Sequence, residues 1–183
     1  MRELTARIRF TSHSLGNQKQ PKNSGRFVFS RSNTTDQILF LPSWHAANMR
    51  FAARLLARHQ SEVRKIQWDI NVDGVLREDP WFRLYYTSSK SKQRRYAVHE
   101  AFFPGQEVGI NCCVPDAITD DDFWWLLSRS GQYRGLSPWK PGEYGHFELV
   151  SLRPRKAPQK EDDFEPPVGV PVDRSKKEDP IKS

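Results

Sequence analysis

Five histidines, His13, His45, His59, His99 and His146, and the triplet Asp120-Asp121-Asp122 carry the groups in this sequence suited to proton transfer or metal ligation. Their spacing supports neither. No histidine stands in an HExxH pair or at zinc-ligand distance from a cysteine, and no Gly-rich loop closes on Lys-Ser or Lys-Thr. Successive carboxylates on a helix point in different directions. After Thr119 they read as a helix start, with a capping hydroxyl and negative charge at the positive end of the dipole. Cys112 and Cys113 are neighbours in an apolar run and read as reduced packing residues. His13 in a polar loop and His45 near a helix start are the only pair we weigh as acid and base for metal-free RNA cleavage. That enzymatic reading stands behind two others, and no catalytic residue, metal or cofactor is assigned.

The remaining chemistry is charge and stacking. The 183 residues hold 29 Lys and Arg against 22 Asp and Glu, a formal net charge of +7, which favours polyanionic or acidic partners. Three clusters concentrate it: Lys19, Lys22 and Arg26 in a polar stretch, Arg50, Arg54 and Arg58 at four-residue spacing, and Lys90, Lys92, Arg94 and Arg95 running into Tyr96. Cations neutralise phosphates, rings stack on bases, and glycines such as those between 131 and 145 let a backbone approach a strand closely.

The elements that must position these groups follow from pattern. Leu4, Ala6, Ile8 and Phe10 alternate with Thr5, Arg7 and Arg9, predicting a half-buried strand over Glu3 to Phe10. Thr11 to Gly25 reads as a mobile basic loop, followed by β-prone runs at Arg26 to Ser30 and Gln37 to Leu41. Ser43 is expected to cap a helix with an apolar stripe of Trp44, Ala47, Phe51 and Leu55 and with the Arg row on another face. Strands are predicted at Glu62 to Val72, Trp81 to Thr87, Tyr96 to Phe102, Glu107 to Val114 and His146 to Leu152. The second and third of these form a hairpin. Thr119 should cap a second helix that places Phe123, Leu126 and Leu127 inward and stops at Gly131. From Arg153 the chain is Pro-rich and charged, with one aromatic, Phe164, and reads as a disordered tail after one α+β domain of residues 1–152.

Three segments resemble the repeat-associated mysterious protein (RAMP) superfamily, which includes the backbone subunits of CRISPR effector complexes and small phage and prophage relatives. They are Phe40-Leu41-Pro42-Ser43-Trp44-His45, arriving after a polar loop with Arg31; Glu100-Ala-Phe-Phe-Pro104-Gly105-Gln-Glu-Val-Gly-Ile110; and, most specifically, the segment from Gly131 to Val150 with Gly135, Trp139, Lys140, Gly142, Tyr144 and Gly145. The likeness runs in order over residues 3 to 152. It implies a modified ferredoxin-like or RNA-recognition-motif-like sheet with an inserted basic hairpin. It also implies sequence-tolerant binding of single-stranded RNA, often by head-to-tail assembly into a homo-oligomer or larger ribonucleoprotein. By the same resemblance Arg31, His45, Trp139, Lys140, Gly142, Tyr144 and Gly145 join the basic clusters as nucleic-acid-binding candidates. The Asp that cleaving relatives carry before the first helix has no counterpart in Asn23-Ser24-Gly25-Arg26, and the family's Lys-Gly in that helix is Ala47-Asn48 here, so binding carries over and cleavage does not.

The expectation is a non-catalytic binder of single-stranded nucleic acid, RNA rather than DNA. The alternative is a phage assembly module offering Trp124, Trp125, Tyr133 and Trp139 to a protein partner. No apolar run of membrane-spanning length occurs, so a cytoplasmic protein without membrane contact is expected.

Overall fold

The computed structural model describes residues 1–20, 25–88, 91–137, 139 and 143–155. Strand β1, Arg2–Phe10, obeys its alternation: Leu4, Ala6, Ile8 and Phe10 are buried, and the Arg side chains between them face outward. β10, Glu107–Val114, does the same with Val108, Ile110, Cys112 and Val114, and it pairs with β1 in an antiparallel register. Burial raises the Cys112 thiol pKa to about 12, in keeping with a packing role. β11, Phe147–Pro154, lies on the other side of β1 and runs two residues further than its alternation predicted. β7, Gln67–Asp73, lies beyond β10. With the short β5, Ser30–Arg31, and β6, Ile38–Leu39, the sheet has the order β11-β1-β10-β7-β6-β5.

Helix α1, Pro42–Leu56, starts two residues earlier than Ser43 capping requires. Pro42 occupies the first helical position, where its fixed φ suits the turn and its missing N–H leaves nothing unsatisfied, so Leu41 is the cap residue and Ser43 makes no capping bond. The buried side of α1 is His45, Asn48, Met49, Ala52 and Ala53, at i, i+3, i+4, i+7 and i+8. The predicted stripe of Trp44, Ala47, Phe51 and Leu55 is instead its flank, with Leu55 exposed. α2, Asp120–Tyr133, is capped as expected, the Asp122 amide donating to Thr119 Oγ1 at 3.1 Å, and Phe123, Leu126 and Leu127 are buried. Gly131 does not end it. It lies inside the helix, where any Cβ would collide with the Phe147 carbonyl and ring.

Two further expectations are corrected. Glu62–Lys65 forms a 3₁₀ turn that buries Val63, so the strand begins only at Gln67. The stretch after Thr11 is tied down at several points. β2, Ser14–Leu15, pairs with β9, Arg94–Phe102, while β3, Gln18–Lys19, pairs with β4, Arg26–Val28. β9 also takes β4 in parallel and β8, Trp81–Thr87, in antiparallel register, forming the second sheet. The molecule is thus mixed α+β with mostly antiparallel sheets. β9 reaches the main core through Phe102, whose ring packs against Phe10 at 5.5 Å and Phe29 at 5.3 Å. Among the described residues no helix is long and apolar enough to cross a membrane. Residues 156–183, the bulk of the predicted tail, lie outside the described residues.

Candidate nucleic-acid interface

Period-2 alternation in β8 sends Trp81, Arg83, Tyr85 and Thr87 to one face of the hairpin and Phe82, Leu84 and Tyr86 to the other. Register places Tyr96 opposite Tyr85 and Arg94 opposite Thr87, and β4 brings Arg26 opposite Val98 on the same face. The product is a ladder of three guanidinium–ring pairs. Arg26 lies 5.2 Å from the Trp81 ring centroid, Arg83 5.0 Å from Tyr96, and Arg94 5.1 Å from Tyr85. Tyr85 and Tyr96 are 6.0 Å apart and about half exposed, at 50% and 55%. Such a surface offers π-faces and cations together, the two groups that hold a single strand without reading its sequence.

At the base of the ladder a cleft of about 400 Å³ is lined by Lys19, Arg31, Asn33, Trp81 and Glu100. Glu100 is buried, accepts the Phe29 amide at 2.9 Å and pairs with Arg31. Arg31 also lies 3.7 Å from Asp36, so its charge is largely answered within the protein, whereas Lys19 is exposed. The structure therefore gathers Arg26, Arg31, Arg94 and Tyr96 on one continuous surface, whereas Lys19, at the cleft rim, stands opposite Phe27 in register and so on the other face of the second sheet. The structure adds Trp81, Arg83 and Tyr85, which belong to none of the cationic clusters of the sequence. Their signal is the Trp-x-Arg-x-Tyr alternation within a single strand. Lys92 sits exposed in the turn, at φ 55°, and Arg95 pairs in register with Tyr86 at the opposite face. Lys22, Lys90, Lys140 and Gly142 lie outside the described residues.

The opposite face of the hairpin is covered toward its base, with Arg95 near the tip left exposed, and this corrects several candidates. Trp139 packs 5.1 Å from His99 and 6.1 Å from Phe27, with its indole nitrogen buried. Tyr144 packs 6.3 Å from Phe82, which stacks on His13 at 4.1 Å. Gly145 is buried at φ +74° against Gly135 at φ +71°, and its carbonyl accepts the Leu136 amide at 2.7 Å. Its closeness serves backbone against backbone within the protein. Trp139 packs against the cluster of Leu15, Leu84 and Ala101, whereas Trp125 on α2 packs against the main core, so Trp124, Trp125, Tyr133 and Trp139 do not share one contact cluster. Of these, Trp124 and Tyr133 are exposed.

The helix row breaks at its third member. α1 stops at Leu56 with Ala57 in the left-handed conformation, and Arg58 turns to Asp122, 2.6 Å away, joined by His59 at 2.8 Å. The His59 hydrogen bond, aided by Arg58, holds the Asp122 carboxyl below its usual pKa. Arg50 and Arg54 remain exposed and share a notch of about 200 Å³ with Arg134. This notch belongs to the helix layer, apart from the ladder on the second sheet. His45 is buried, stacked on Trp68 at 4.5 Å, and desolvation lowers its pKa to about 3. It can neither touch a nucleic acid nor act as an acid or base near neutrality. Burial, with a lesser push from Arg77, also lowers the pKa of His13.

The face of the six-stranded sheet carrying Thr5, Arg7 and Arg9 has most of its charges paired, exposed Arg153 opposite Thr5 having no ion pair among the described residues. Arg7 lies 3.1 Å and Arg9 2.7 Å from Glu107, Arg9 also 2.7 Å from Glu148, and Arg155 3.7 Å from Asp69. The hydrogen bonds from Arg9 and Arg7 hold the Glu107 carboxyl below its usual range. Apart from Arg153, the cations of this face are answered within the protein. Among the described residues no cluster of three His, Cys, Asp or Glu is placed to hold a metal ion.

No family model matches this sequence, and no curated protein matches it. Among solved structures, the chain is similar to one from the type III-B Cmr-beta complex bound to cognate target RNA, with a TM-score of 0.56 and 12% identity. The likeness covers 83% of this chain and 60% of that one, so this protein spans about three fifths of the neighbour's length, and what the two share is a fold.

Proposed function

We propose that this protein is a non-catalytic, sequence-tolerant binder of single-stranded nucleic acid, RNA in preference to DNA, on a RAMP-like scaffold that assembles along the strand. The observation that carries the reading is the arginine–aromatic ladder of Arg26, Trp81, Arg83, Tyr85, Arg94 and Tyr96 on one open face. Support for the scaffold comes from the order β11-β1-β10-β7, all antiparallel, with α1 between β1 and β7 and α2 between β10 and β11. That order is the one expected of a ferredoxin-like β-α-β-β-α-β unit and supports reading the scaffold so. The second sheet is then the inserted hairpin. Preference for RNA rests on the fold neighbour, whose complex is bound to target RNA. The non-catalytic part of the proposal is supported by the places of the two histidines weighed as acid and base, His45 in the core and His13 stacked on Phe82.

The test is fluorescence anisotropy of the full chain with a uridine RNA and a thymidine DNA of about 30 nucleotides at two salt concentrations. Salt-sensitive binding that weakens in an Arg26→Gln, Arg83→Gln, Arg94→Gln variant is expected. No binding at low salt would reduce the likeness to one of fold.

A further inference from the structure

Between α1 and α2 runs a groove of about 320 Å³ lined by Phe51, Leu55, Trp125, Arg129 and Tyr133. Leu55 and Tyr133 are each about half exposed. The adjoining notch shares Phe51 and adds Arg50, Arg54 and Arg134, and among the described residues none of these three has a carboxylate within salt-bridge distance. The combination is an apolar floor with four guanidinium groups around it and no acidic residue lining it. A phosphate backbone would satisfy the arginines but leave Leu55 and Phe51 against water. A ligand that satisfies both has a large apolar side chain flanked by carboxylates.

The chain itself carries such a segment. Glu161-Asp162-Asp163-Phe164-Glu165 surrounds the only aromatic residue beyond Arg155 with four acids. We propose that this segment docks in the α1–α2 groove of its own chain, Phe164 on the apolar floor and its flanking carboxylates on Arg50, Arg54, Arg129 and Arg134.

The reach is sufficient. The Arg155 amide donates to the Glu3 carbonyl at 3.0 Å, and the neighbouring Arg2 holds Asp120 at 2.9 Å, so Arg155 stands near the start of α2. Eight residues lie between Arg155 and Phe164, and the nine Cα–Cα steps span roughly 30 Å when extended. α2 is about 20 Å long, and its groove residues run from Trp125 in its first half to Tyr133 at its end.

The test places a photo-crosslinking p-benzoylphenylalanine at position 164 of the full chain, without nucleic acid, and maps the products by peptide sequencing. Crosslinks within one chain to Leu55, Trp125 or Tyr133, abolished in high salt and in a Leu55→Asp variant, are expected. Crosslinks elsewhere, or spread evenly over the surface, overturn the proposal. Crosslinks to the groove that join two chains assign it to a second copy and overturn docking within the chain. Since no nucleic acid is present, this outcome is read independently of whether the ladder binds one.

Discussion

Arg94 and Tyr85 stand on adjacent strands of the hairpin with the guanidinium carbon 5.1 Å from the ring centroid, and the same pairing recurs at Arg83–Tyr96 and Arg26–Trp81. The rings hold the cations at fixed heights along one face. Each cation in turn lies where a phosphate or a stacked base would meet it.

Tyr85→Ala with Tyr96→Ala should weaken single-strand binding by about 1–3 kcal/mol for each base that stacks there. Both side chains are half exposed, so thermal unfolding should be little changed. Anisotropy beside a melting curve checks the two halves, and equal affinity in wild type and variant would remove stacking from the account.

The three ladder arginines act through charge and should set the salt dependence. Replacing Arg26, Arg83 and Arg94 by Gln is expected to lower the slope of log affinity against log salt by about 0.7 for each phosphate no longer neutralised. Arg50→Gln with Arg54→Gln, on the helix layer, should change that slope less. The reverse ranking would move the interface to α1.

Glu100 is the acid within the basic cleft, and it is already committed to the Phe29 amide and Arg31. Glu100→Ala leaves a buried amide without its acceptor and should cost about 1–3 kcal/mol in urea unfolding. A neutral result would mean that the cleft refills the bond with water.

Acid should destabilise the fold before its carboxylates titrate. His45 has a folded pKa of about 3 against about 6.5 in an unfolded chain, so between those values the unfolded state binds a proton that the folded state does not. Stability therefore rises with pH through this window and falls below pH 6.5, by about 1.4 kcal/mol per unit for this one group. His99 and His13, also pushed down by burial, act in the same direction. Urea midpoints measured from pH 7 to 5 should decline, less steeply in His45→Phe, and a profile unaltered by that substitution would count against the buried neutral imidazole.

Asp122→Ala should lower the melting temperature by releasing both Arg58 and His59, while Asp121→Ala beside it should not. The melting curves distinguish a fixed junction between the helices from a general effect of charge at the start of α2.

What the sequence made readable was local. Strict alternation marked β1, β10 and β11, and the Thr119 cap with its acids marked α2, because each pattern depends on residues close along the chain. The inward face of α1 was misjudged because His45 and Asn48 count as polar, yet the fold buries both, Asn48 donating to the Gly135 carbonyl at 2.7 Å. Leu15 and Ser14 looked like loop residues because their burial comes from β9, more than eighty positions away. In the interface the cations were visible as clusters, but their grouping was not. Which face Arg26 shares with Arg94 depends on a parallel pairing between β4 and β9 that no local pattern announces.

The clasp between Gly135 and Gly145 bears on how this scaffold can diversify. Its ends are pinned by the Leu136 amide on the Gly145 carbonyl, the Gly145 amide on the His13 carbonyl and the Asn48 side chain on Gly135. Between the two glycines Leu136 is buried in the core and Trp139 and Tyr144 pack against the second sheet, so only chain length between these anchors is free to change, and doubling a loop whose ends are already held costs only about 0.6 kcal/mol. Insertions between Trp139 and Tyr144, natural or designed, can add new contacts while the helices and both sheets keep their places, provided both glycines and the three packed side chains are retained.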